Sequence, residues 1–181
     1  MSYDFALFVI DGDPTEEYLR FSEAGSVDDP NLGPVLPRCE VAKRRLADSL
    51  RIKQPFLHEF VFDHDALAKS HRIDRAEARK RWRHIELNLE SVGLQITLFD
   101  DWATVTLAYW HGGDEARNAL SVAWDCLKTI RDELGYRVFD PQLGRILDLE
   151  ADFDPVADLY SGTISAVNKT LRRSWWKFWQ R

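Results

Sequence analysis

The chain has 181 residues, 45% of them apolar and 30% charged, and carries a formal net charge of −6. That length suffices for one domain with a conventional core and no staples, while the acidic balance disfavours a dedicated nucleic-acid binder because phosphates repel it. Two cysteines, Cys39 and Cys126, supply neither a disulfide scaffold nor a zinc spacing, and no uncharged apolar run approaches the ~20 residues of a membrane span. The start, Met1-Ser2-Tyr3-Asp4, lacks the basic region and cleavage site of a secretory signal. A cytoplasmic location is therefore expected.

Taken in chain order, residues 3–10 are apolar on both faces after Asp4, which predicts a strand inside a sheet. Asp11 to Pro14 is a turn signal. A short acidic helix is expected over 15–22, followed by a proline-rich surface loop to 38. Val41, Leu46 and Leu50 stand near helical spacing and predict a helix over 39–51. Residues 56–62 read as a strand. Asp65 is expected to open a short helix to Ser70, and Asp74 with Glu77 forms a capping-box signature for the next one.

The periodicity then changes to two. In residues 84–90, Ile85, Leu87 and Leu89 point one way and His84, Glu86, Asn88 and Glu90 the other. Together with 94–99 and 102–110 this run predicts an antiparallel meander. Asp114 is expected to cap a long helix whose apolar stripe is Ala116, Leu120, Ala123, Trp124, Leu127, Ile130 and Leu134, stopped by Gly135. Strands follow at 136–139 and 144–149. Asp154-Pro155 opens a final helix bearing Val156, Leu159, Tyr160, Ile164, Val167 and Leu171. This order predicts an α+β fold: a mainly antiparallel sheet with helices on one face, in the manner of a split βαβ or ferredoxin-like unit. The α+β domain spans 1–153, and 154–181 form an amphipathic helix packed on it with a basic aromatic tip.

The chemistry-bearing motifs are few. His58, His64 and His71 lie near Asp63 and Asp65, but their spacing matches no zinc pattern and co-occurrence in turns accounts for them. No phosphate loop, dinucleotide fingerprint, nucleophile elbow or zincin motif is present. No catalytic residue, metal or cofactor is therefore assigned. Glu86, Asn88 and Glu90 share a face on which paired carboxylates could support a small hydrolase, although exposed strand faces are more often simply solubilising.

Two basic stretches suit a protein partner. The first carries Arg72, Arg75, Arg79 and Arg83; a solvated face paired to acids elsewhere in the chain ranks first, and a docking surface whose guanidinium forks match a partner's carboxylates second. The second is the tail, where Trp175, Phe178 and Trp179 continue the helix stripe while Arg172, Arg173, Trp176 and Lys177 remain for contact. For that tail, packing on the domain ranks first and partner contact second. A membrane surface, engaged through 172–181, ranks third.

The opening "MSYDFALF", the middle "ARKRWRHIELNLESVGLQITLFDDWATVTLAYW" and the later "GYRVFDPQLGRILDL" resemble small bacterial proteins. These begin with a Met-Ser-Tyr-Asp strand and close with a strand running into Asp-Pro-Gln. The resemblance spans most of residues 1–149 and leaves out the aromatic tail. Members are mostly uncharacterised, and some are similar to immunity proteins that neutralise toxins delivered by neighbouring bacteria. It implies a non-enzymatic protein whose partner is a cognate toxin. A hydrolase and a peripheral membrane protein are the alternatives.

Overall fold

The computed structural model describes the backbone of residues 2–24 and 34–178, and side chains over 2–21 and 34–166. Seven strands form one sheet: β1 (Ser2–Phe8), β2 (His58–Phe60), β3 (Ile85–Leu89), β4 (Leu94–Leu98), β5 (Trp102–Ala108), β6 (Arg137–Asp140) and β7 (Arg145–Ile146). Their spatial order is β2-β3-β4-β5-β1-β6-β7, and every adjacent pair is antiparallel. The helices are α1 (Pro14–Ala24), α2 (Pro37–Lys53), α3 (His64–His71), α4 (Arg75–Arg81), α5 (Asp114–Leu134) and α6 (Phe153–Phe178). The expected α+β class is what the structure shows. β5 and β6 both run antiparallel to β1, which lies between them, and α5 joins them, so β5-α5-β6 is a split βαβ unit around β1.

Strand alternation sorts the side chains into two layers. Tyr3, Phe5 and Leu7 of β1 join Ile85, Leu87, Leu94, Ile96, Val105, Leu107 and Val138 in the main core, beneath α2, α5 and α6. Trp124 on α5 donates its indole N–H to the carbonyl of Leu149 at 2.9 Å and meets Phe5 and Phe153 edge-on. The opposite face is covered only in part: Ala6, Phe8, Trp102 and Phe139 pack with Phe21 of α1, and Phe21 and Phe99 both stack on Trp102. Helices thus occupy both faces, three on one and α1 on the other.

Several local expectations are refined. Asp63, two residues before Asp65, caps α3 by accepting from the N–H groups of Asp65 and Ala66. Asp74 does cap α4, but Glu77 binds Arg81 at 2.8 Å instead of closing the capping box. Gly113 occupies the N-cap of α5, and Asp114 is its first helical residue. In α2 the buried side chains are Lys43, Leu46, Ala47 and Leu50, whereas Val41 is exposed. In α6, Val156, Ala157, Tyr160 and Ile164 are buried and Leu159 points outward; the side chains of Val167 and Leu171 lie outside the described residues.

Burial keeps several phenols neutral. It pushes Tyr136 and Tyr160 each up to about 12, and Tyr160 donates to the carbonyl of Ala108 at 2.7 Å. A phenol whose folded pKa exceeds its unfolded value of about 10 stabilises the protein fully below that value. This contribution is lost as pH rises from about 10 to 12. Each tyrosine carries on the order of 2 kcal/mol across this window. Urea denaturation midpoints should therefore fall steeply between these pH values, and less so in Tyr160→Phe.

Candidate protein-binding site

The β2 edge brings together three of the exposed large apolar side chains, Phe56, Phe60 and Val61. β2 is only three residues long and pairs with β3 on one side, with His58 opposite Asn88, Glu59 opposite Leu87 and Phe60 opposite Glu86. As the terminal strand it has no neighbour on its outer side among the described residues, and such an edge presents ladder groups that another chain can pair with. Glu59 turns toward α2 and is held by Arg44 at 2.6 Å and Arg51 at 3.3 Å. Phe56, Phe60 and Val61 remain exposed beside it, at 82%, 51% and 81% of their full accessibility.

Below the edge, α3 and α4 form a hairpin with a small core of its own, in which Ala68, Ala78 and Trp82 pack with Phe62, Leu67 and Ile73. The gap between this hairpin, the β2 edge and α2 is a groove of about 580 Å³. Phe60, Val61, Phe62 and Trp82 supply its apolar lining, with Glu40, Arg44, Arg79 and Arg83 around it. An apolar floor rimmed by charge is the usual composition of a protein-recognition patch.

The structure disperses the predicted arginine cluster. Arg79 is exposed on the groove. Arg75 leans back on Asp65 at 3.1 Å, and Arg72 is exposed in a left-handed conformation at the end of α3, with φ of 56°. Arg83 turns inward to Asp100 at 2.8 Å. The backbone of α6 runs through Arg172, Arg173, Trp176 and Lys177, whose side chains lie outside the described residues.

Sequence reasoning missed the ion network that Arg83 joins. Lys43 is 3% exposed, and its ammonium lies 2.5 Å from Glu40, 2.8 Å from Asp100 and 2.8 Å from the carbonyl of Arg83. The network ties α2 to the start of β3 and to the β4–β5 turn. Next to it, His84 sits between the rings of Phe62 and Phe99, at 4.7 and 5.4 Å. Burial lowers its pKa, with the Lys43 charge acting in the same direction. Only the Asp100-Asp101 turn was visible in the sequence; nothing there aligned it with Lys43.

The carboxylate and histidine face is assembled but wet. Asn88 donates to Glu86 at 2.8 Å, and His58 approaches Glu90 at 3.9 Å. Glu90 has left β3 for the following turn and is 86% exposed. His64 contacts the carbonyl of Trp82 and the His71 ring lies against the Trp82 indole, whereas His58 sits on β2 opposite Asn88. Among the described residues no group of three or more His, Cys, Asp or Glu side chains could hold a metal ion. Both cysteines are free thiols, and burial pushes Cys126 up to about 12.

The two ends of the motif pattern meet in space. Tyr3 donates to Asp140 at 2.6 Å across 137 residues, and Asp140 also accepts from the N–H groups of Gln142 and Leu143. The Gln142 amide nitrogen donates to the carbonyl of Asp4 at 2.9 Å. Tyr-Asp and Asp-Pro-Gln are therefore two halves of one buried clasp, which has a structural role.

No family model, curated protein or solved structure matches this chain. No described helix is long and apolar enough to cross a membrane.

Proposed function

We propose that this chain is a non-enzymatic binding protein of the bacterial immunity type, which neutralises a toxin by covering it. The observation carrying this reading is the β2 edge: an open strand flanked by exposed Phe56, Phe60 and Val61 and by a charged groove. A partner strand laid along β2 would satisfy the open ladder positions, and Phe60 and Arg79 would act as anchors. The net charge of −6 would steer a basic toxin toward this domain. The hydrolase reading loses its motivation, because Glu90 and His58 stand exposed to solvent, 3.9 Å apart, with no enclosed pocket around them among the described residues to hold a substrate. The membrane reading rests on tail side chains outside the described residues.

Co-expression with a toxin encoded beside the gene should restore growth. The variant Phe60→Lys/Arg79→Glu should abolish both protection and co-purification while retaining the wild-type circular dichroism spectrum. Failure of the wild-type chain to protect, together with no co-purifying partner from the native host, would overturn the proposal.

A further inference from the structure

The half of the second sheet face that α1 leaves uncovered carries an ordered polar row. Strand registers place His58, Asn88, Gln95, Thr106 and Asp4 side by side across β2, β3, β4, β5 and β1. Adjacent strands lie about 4.8 Å apart, so the row forms a flat ladder of amides and a hydroxyl with ionisable groups at its ends. A groove of about 300 Å³ runs over its stretch from His58 to Thr106, leaving Asp4 outside. Among the described residues no lysine or arginine lines this groove, and the one carboxylate lining it is Glu90 at the rim beside His58.

Aromatic rings stand at its margins. Trp110 is 71% exposed and Phe60 51%. The indole is nevertheless positioned: Gly93, in a left-handed conformation with φ of 66°, has no Cβ, and one placed there would lie 3.1 Å from the Trp110 ring. The indole therefore rests edge-close on Gly93 beside a flat polar floor, already arranged as a platform. Rings held in this way stack on apolar faces at low entropic cost. Neutral amides and hydroxyls both donate and accept, which suits a ligand bearing many hydroxyl groups and gives no purchase to an anion.

We propose that this face binds a flat, neutral oligosaccharide, with a sugar ring stacked on Trp110 and its hydroxyl groups hydrogen-bonded to Asn88, Gln95 and Thr106. The site is separate from the groove beneath the β2 edge, apart from the shared Phe60. It stands independently of the immunity reading.

Cellohexaose and chitohexaose, two flat neutral glycans that differ in the acetamido group, are the probes. Titrated to millimolar concentration into the nitrogen-15-labelled full chain, at least one should shift the Trp110 indole N–H and the side-chain amides of Asn88 and Gln95. The glycan that shifts them identifies the sugar type. Trp110→Ala and Gln95→Leu should each weaken binding about tenfold or more without lowering the melting temperature. Gln95→Leu, which opens no cavity, keeps the test valid if Trp110→Ala is unstable. No shift with either glycan, shifts confined to other faces, or unaltered binding by a folded variant would overturn the proposal.

Discussion

Replacing Lys43 by Met is expected to destabilise the protein by about 3 kcal/mol. The substitution keeps the helix propensity and most of the side-chain volume, so the effect isolates the charge. Asp100 and the Arg83 carbonyl, each 2.8 Å from the ammonium, would lose their donor in a site where water does not freely replace it. Asp100 would keep Arg83 at 2.8 Å, which limits the loss. At roughly 2–4 °C per kcal/mol for a chain of this size, the melting temperature should drop by about 6–12 °C. Adding Asp100→Asn should cost much less than it does alone, because the two residues act on one network. A drop of under about 1 kcal/mol for Lys43→Met would show that the network is a solvated surface cluster.

Asp140→Ala should have a comparable effect, also about 3 kcal/mol, for a different reason. Asp140 is fully buried and accepts from Tyr3, Gln142 and Leu143. Removing it leaves a buried phenol and two turn N–H groups without their acceptor. Burial raises the pKa of Asp140 against the opposing pull of these bonds, and raises that of Tyr3, which places the pair in a low-dielectric site. Tyr3→Phe removes the stranded hydroxyl, so Tyr3→Phe/Asp140→Ala should be more stable than the sum of the single changes predicts, by about 1 kcal/mol or more. Strict additivity in urea melts would mean that the clasp carries no coupling.

How much was legible in the residues depended on how local each signal was. The meander of β3, β4 and β5 showed in the period-two alternation from Ile85 to Leu107, because each strand buries one face against the same core. α5 was equally plain, since its stripe and Gly135 stop lie within one stretch. α2 was placed correctly but turned by a step: Val41 looked internal, and Lys43 is internal because Asp100, 57 residues away, arrives to neutralise it. A hydropathy pattern registers the cost of burying an ammonium and cannot register a distant partner that offsets it.

The candidate site was less visible. The arginines at 72, 75, 79 and 83 look like one surface from their spacing, yet the chain breaks between α3 and α4 at Arg72 and leaves helix before Arg83. Of the four, Arg79 and Arg83 line the groove, and Arg83 is held there by Asp100, while Arg72 and Arg75 lie away from it. The β2 edge became evident only through sheet order, which no local pattern encodes. Likewise, the row from His58 to Asp4 draws one residue from each of five strands and has no linear signature.

The sheet order also sets a schedule for folding. β1 is made before the rest of the sheet, yet its two neighbours are β5 and β6, whose residues come about a hundred or more positions later. At synthesis rates of about 5–20 residues per second, that strand waits several seconds or longer outside any sheet. Its apolar side chains Phe5, Leu7 and Phe8, which end up fully buried, are meanwhile without a core. The strand that finally anchors the middle of the sheet is thus the one with the longest opportunity to meet the wrong partner first.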